Sequence, residues 1–219
     1  MKMLLFLALA LHSCVASPVG PSLDRTDITT AVNLALKAYL TTVTDPVALN
    51  QHIEYKIEAP LVADVLLTMD GATLSGVKDI VAENCLLTGT DPQDIALNFR
   101  ASELTLTMPT YTMNGTVVDH IPLQGEGQAS IVIEDLVASL VGKGTATVSP
   151  FNVQFTEIAL DLELFRWTVD FQDLAPGTDL GTVFNQFFSM CGPEIFDLLE
   201  IRLNEGDGLL NFINGIFKP

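Results

Sequence analysis

Cations and histidine are both scarce in this chain. Ten Lys and Arg stand against 27 Asp and Glu, a net charge of −17 at neutral pH. A surface so poor in positive charge repels nucleic acid and anionic lipid alike, so neither is expected as a partner. Only three histidines occur, and neither His52 nor His120 has a ligating partner at helical spacing, so a zinc site built on histidine is not supplied. No Gly-x-Ser-x-Gly elbow is present, which weakens a lipase reading. Gly142-Lys143-Gly144-Thr145 has the look of a phosphate loop, but Val137 stands where the first Gly belongs, and the segment reads as a β-turn with a solvated Lys. Gly125-Glu126-Gly127 lacks the third Gly of a dinucleotide fingerprint and reads as backbone permissiveness. Asp161 and Glu163 alternate with Leu160, Leu162 and Leu164, the pattern of a solvated sheet face rather than an acid and base pair. No catalytic residue, metal or cofactor is expected, and the chain is not read as an enzyme.

What is abundant is apolar residues. They make up 48 % of the chain against 17 % charged, and mean hydropathy is +0.39, which excludes a disordered acidic chain. The first 16 residues read as an export signal: Lys2 supplies the charge, Leu4 to Leu11 the apolar core and Cys14-Val15-Ala16 the cleavage site. The expected cut after Ala16 leaves residues 17–219 as a single secreted, extracellular domain. That apolar run falls short of the ~20 residues needed to cross a bilayer, and no second segment offers a stable membrane anchor. Cys14 leaves with the signal. Cys85 and Cys191 then form a pair in an oxidising compartment, and a disulfide is expected slightly ahead of two buried thiols. Asn114-Gly115-Thr116 is a glycosylation sequon, and its Asn-Gly is also the strongest hairpin signal in the chain.

Asp24, Thr26 and Asp27 offer caps for a first helix in which Ile28, Val32, Leu36 and Leu40 recur at helical spacing. Extended runs follow from His52, with a tight turn at Asp70-Gly71. The long apolar region from Leu104 to Leu174 then shows a particular irregularity. Ile95, Leu97, Phe99 and Ala101 are odd-numbered, whereas Leu104, Leu106 and Met108 are even. Because side chains alternate faces, such a switch needs an extra residue, a bend or a break, and a bulge is expected near Ser102-Glu103. Phe151, Val153 and Phe155 are odd again, Ile158 to Leu164 even, and Trp167, Val169 and Phe171 odd. Repeated switches predict a strongly bent antiparallel sheet. After the turn at Ala175-Pro176-Gly177, Leu180, Val183, Phe184, Phe187, Phe188 and Cys191 form a helical stripe. Pro193 suits the start of a further helix, with Ile195, Phe196, Leu199 and Leu203 inward, and Gly206-Asp207-Gly208 breaks it. Phe99, Leu106, Phe151, Phe155, Trp167, Phe184 and Phe188 are the candidates to line a ligand cavity. Aromatic stripes at such spacings are also how an ordinary core looks.

One ordered set of short motifs carries a family resemblance over residues 60 to 217. It runs through Leu104-Thr105-Leu106-Thr107-Met108-Pro109, the Asn-Gly hairpin, Ile121-Pro122-Leu123 with Gly125-Glu126-Gly127, Ala129 to Leu140, Phe171-Gln172-Asp173-Leu174, and Asn185-Gln186-Phe187-Phe188. This order resembles the takeout and haemolymph juvenile hormone binding protein family of arthropods, within the tubular lipid-binding superfamily that includes mite group 7 allergens. The resemblance implies an α+β fold, a single module in which a long C-terminal helix is wrapped by a highly curved antiparallel β-sheet around an elongated apolar tunnel. It also implies a carrier of a small hydrophobic ligand such as a terpenoid, fatty acid or other lipid. Two departures stand out: the cysteine pair many relatives carry near the mature N-terminus is absent, and the C-terminal helix is interrupted at Gly192-Pro193 and Gly206-Asp207-Gly208. The alternatives are a membrane-engaging or bacterial-lipid-binding protein, which the negative charge disfavours, and an allergen-like interaction protein whose cavity is collapsed.

Overall fold

The computed structural model describes residues 25–49, 52–59, 63–117, 121–148 and 151–216. The export signal, His120 and the side chain of Phe151 lie outside that set. Among the described residues the strands form one nine-stranded antiparallel sheet. Its spine is β7 (Gln93–Val117), β8 (Ile121–Val148) and β9 (Phe151–Phe171), paired in that order. The free edge of β7 is met in turn by β6 (Val81–Thr88), β5 (Ala72–Ser75) and β4 (Ala63–Asp70). Outside these lie β1 (Arg25–Asp27) on β6, β2 (Val47–Leu49) on β5 and β3 (Ile53–Ala59) on β4. The expected turn at Asp70-Gly71 joins β4 to β5, with Gly71 at a φ of 66°.

Parity switches occur at three places along the sheet and have two kinds of origin. At Ser102 no residue is inserted: Ala101 faces Leu136 and Glu103 faces Glu134, so the register passes through unbroken. Instead β8 and β9 change parity on the same row, at Asp135 and Phe165. Asp135 takes a left-handed φ of 50°, and a line of kinks crosses three strands together. Arg100 to Asp135 (2.7 Å) and Arg166 to Glu134 (3.0 Å) brace it on the outer face. The expected bulge is thus a concerted fold line, because all three strands share the bend and none needs an extra residue. The other two sites are true bulges. β7 gains a residue against β8 between Met108 and Tyr111, at Pro109, which has no N–H for the ladder. β9 gains one against Lys143-Gly144, and its backbone presses on Gly142 and Gly144. Gly142 to Thr145 is accordingly mid-strand rather than the expected turn, with Lys143 3.5 Å from Glu157.

The Asn-Gly hairpin is also corrected. Asn114 and Gly115 sit inside β7, paired to Leu66 and Val65 on one side and to Gln124 and Leu123 on the other. Neighbouring strands on both edges override the local turn preference. A Cβ on Gly115 would run into the Asp64 carbonyl and Val65 Cα, so glycine here serves close strand packing.

Helix α1 (Thr29–Thr41) buries Val32, Leu36 and Leu40 as their spacing predicts. Ile28 holds the N-cap position, and Asp27 just before it accepts the Thr29 N–H at 2.8 Å; its hydrogen bonds to the Thr29 side chain and backbone hold the Asp27 carboxyl below its usual range. This helix packs on β6 and also touches β9. Laid flat, β6 and β9 would be about 14 Å apart with β7 and β8 between them. One helix reaching both shows that the sheet curls around it.

The C-terminal region is three helices rather than one long helix: α2 (Leu180–Met190), α3 (Gly192–Asn204) and α4 (Gly208–Ile216). The breaks fall at the two glycine sites read from the sequence, and Gly206 takes a φ of 74°. All three helices pack on β9. Phe196, Leu209 and Ile213 are buried, but the stripe on α2 is narrower than its sequence suggests. Phe184 faces inward, whereas Val183, Phe187 and Met190 are exposed.

Cys85 and Cys191 are free thiols, which corrects the expected bridge between them. Cys85 sits on β6 with its Sγ toward the Asn98 carbonyl. Cys191 joins α2 to α3 beside Gly192, which rests on Trp167 in the row of Leu104. Leu104 lies roughly 20 Å of extended strand from Asn98, and β7 and β8 stand between β6 and Trp167 on β9, so the two thiols are well beyond disulfide reach.

Candidate functional site

The concave face and the helices enclose a long apolar tract. Of the expected lining residues, Phe99, Leu106 and Phe155 are at most 5 % exposed, Phe184 is buried, and Trp167 and Phe188 are half-buried against the same core. They do not converge on one point. Phe155 lies in the row of Gly144, Phe99 in that of Ala138, Leu106 in that of Ile131, and Phe188 packs 6.0 Å from Phe171 in the row of Ala129. From Gly144 to Ala129 is about 50 Å of extended strand. The tract is therefore elongated along the sheet, with candidates strung from end to end.

Its lining is nearly free of polar groups. Ser139, buried beside Asn98 with its hydroxyl donating to Asn98 Oδ1, stands on the other face of β8 from the inward Ala138 and Leu140. Burial pushes the Cys85 thiol up to about 11, a group with no nucleophilic character at neutral pH. Tyr111 is fully buried at one end, where its hydroxyl donates to the Gln172 carbonyl at 2.6 Å. Desolvation, helped by Asp173 and Asp170, pushes it up to about 12. Gly125 leaves the room for that hydroxyl, since a Cβ would come within 2.6 Å of it. The permissive reading of Gly125-Glu126-Gly127 thus has a concrete cause.

Sequence reasoning missed three aromatic members. Tyr111 meets Phe171 edge to face at 4.8 Å, and Trp167 meets Phe196 at 5.3 Å with planes 83° apart. Phe171 and Phe196 stood on the inward faces already recognised. Tyr111 was hidden because the bulge at Pro109 resets the parity just before it.

The tract is closed by unusual means at β9. Among the described residues its outer edge has no strand neighbour, and side chains of the helices take its backbone groups instead. Asn185 accepts the Phe171 N–H at 2.9 Å and donates to the Phe171 carbonyl at 3.1 Å. Asn204 does the same for Leu160 at 2.8 and 2.7 Å, and Asn214 for Phe155 at 2.8 and 2.9 Å. Ser189 accepts from Val169 and Glu200 from Leu162. Asn185 and Ser189, like Glu200 and Asn204, are one helical turn apart, so each helix presents its polar row to a strand edge. An exposed edge is a template for association, and these side chains blunt it.

The fold is similar to the crystal structure of Takeout 1 from Epiphyas postvittana, with a TM-score of 0.59, 16 % identity, and coverage of 89 % of this chain and 91 % of that one. A crystal structure of lipopolysaccharide binding protein aligns with a TM-score of 0.36 and 14 % identity, over 83 % of this chain and 38 % of that one. No curated protein matches the sequence. The sequence profile of haemolymph juvenile hormone binding protein matches residues 37–218, nearly the whole sheet and all three C-terminal helices. The curled antiparallel sheet, its helical wall and that match together make this chain a member of the haemolymph juvenile hormone binding protein family.

Proposed function

We propose that the protein is a secreted carrier that holds one small hydrophobic molecule, a terpenoid, fatty acid or other lipid, along its apolar interior, and that it performs no catalysis. The observation that carries this reading is the lining: an elongated tract whose buried side chains are apolar almost throughout. Family membership supports the ligand class. Secretion rests on the signal read at residues 1–16, and no helix among the described residues is long and apolar enough to cross a membrane. Asn114 is exposed, which supports use of its sequon. Binding would come from removing apolar ligand surface from water, at about 25 cal/mol per Å². At roughly 0.3 kcal/mol per heavy atom, a ligand of about 20 to 30 atoms gains about 6 to 9 kcal/mol, a micromolar affinity or somewhat better.

One observation favours a second reading, an interaction protein with a filled interior: Phe99, Leu106 and Phe155 are buried as tightly as any core residue. Displacement of a fluorescent fatty-acid probe separates the two. The carrier takes up the probe at micromolar concentration and releases it to terpenoids or fatty acids. A filled interior takes up none.

A further inference from the structure

Trp167 is the only tryptophan of the chain, and it carries the one buried side-chain nitrogen or oxygen among the described residues that has no hydrogen-bond partner, its indole Nε1. Three features place this donor in the tract. Trp167 shares the inward face of β9 with Val169 and Phe171 and pairs with buried Ile133 of β8. Its ring packs edge-on against Phe196 of α3. Gly192, at the start of α3, lies so close that a Cβ there would sit 2.7 Å from Trp167 Cβ and Cγ. The indole is therefore clamped between sheet and helical wall, with its N–H buried and without an acceptor. A tryptophan N–H donates and cannot accept, so only an acceptor relieves it. Buried tryptophans ordinarily find such a partner, and a Phe would fill the same space without the penalty.

We infer that Trp167 Nε1–H is the polar anchor of the binding tract, and that the ligand carries a hydrogen-bond acceptor oxygen (carbonyl, ester or ether) on an otherwise apolar chain. This rests on the carrier reading and narrows it: hydrocarbons and acceptor-bearing lipids should be told apart at one atom. A ligand oxygen reaches that atom where α3 meets the sheet. Further along, at Leu162 and Leu160, the helix is held to β9 by the side-chain bonds of Glu200 and Asn204 rather than by a backbone ladder. A small apolar ligand site needs only one or two such groups to fix orientation. Recovering a buried unpaired donor is worth about tenfold in affinity.

The test uses two probes of equal heavy-atom number, 2-tetradecanone and pentadecane, each displacing the fluorescent fatty acid from the full-length secreted protein. In parallel, the single indole N–H resonance is followed by nitrogen-15 NMR. The expected results are a downfield shift of that resonance with the ketone and little with the alkane, and a ketone-to-alkane affinity ratio that drops about tenfold in Trp167→Phe. The NMR arm needs no variant, so it holds even where Trp167→Phe folds poorly. If the ketone binds and the indole resonance stays put, or the ratio is the same in both proteins, the anchor is wrong while the carrier reading stands. If neither probe displaces the fatty acid, and no fatty acid binds, the carrier reading itself falls and takes the anchor with it.

Discussion

The two sides of the curled sheet meet the same problem, an open strand edge, with different solutions. On the side of β7, backbone closes on backbone: β6, β5 and β4 pair along its length. On the side of β9, closure is by five side chains from three short helices. Removing a neighbouring strand unzips a ladder, whereas a helix held by a few amide side chains can part from β9 and leave the β8–β9 ladder whole. The difference assigns rigidity to one wall and adaptability to the other. Under the proposed carrier reading, that favours ligand entry at the helical wall, where Phe184, Phe188 and Phe196 pack into the core.

Substitutions of the same chemistry on the two walls probe the contrast most strongly. Phe99→Ala, on the backbone-closed side, should cost about 3–5 kcal/mol in chemical denaturation, because a rigid wall cannot collapse into the cavity. Phe184→Ala, on α2, should cost about half as much, since the helix can settle inward. Equal losses would break the comparison. Next in size, Asn204→Leu strips both partners from Leu160 and should destabilise by about 2 kcal/mol. Hydrogen exchange should quicken at the Leu160 amide and stay unchanged in β7 opposite β6.

Alkaline pH offers a further contrast. Cys85, raised from 9.0 to about 11, and Tyr111, raised from 10.0 to about 12, both favour the proton in the folded state. Their contribution is intact below the unfolded values and is lost as pH climbs from about 9 to 12, because the unfolded chain ionises first. The denaturation midpoint should fall over that window, and Tyr111→Phe should flatten its upper part. Alkylation distinguishes the walls directly: half-buried Cys191, on the helical side, should react well before Cys85, which is fully buried beneath α1. The smallest effect belongs to the fold line. Arg100→Met removes an exposed ion pair and should change stability by less than about 1 kcal/mol, with the bend retained by three strands acting together.

Legibility in the sequence followed the range of the interaction. Helix α1, the glycine breaks of the C-terminal region and the parity switches after Ala101, Phe155 and Leu164 were readable, since each is a pattern within one element; those at Asp135 and Pro109 were not. That the switches at Ala101, Leu136 and Leu164 are one line was not, because the alignment depends on register between strands. Asn114-Gly115 and Gly142-Lys143-Gly144 misled for the same reason: local turn chemistry was outvoted by partners on both sides. Most of the buried inward face was legible from apolar parity. The polar row of Asn185, Asn204 and Asn214 was not, because on a helix it looks like any solvated face until β9 lies beneath it. Trp167 could be assigned to the interior, but only its surroundings reveal an N–H without an acceptor.

Native mass spectrometry of gently purified, full-length secreted protein tests the central claim most directly. The account predicts a population carrying one non-covalent adduct of lipid mass, lost on organic extraction and restored by adding back the extract. A single bare mass before and after extraction, with no uptake of the fluorescent fatty acid, would contradict it.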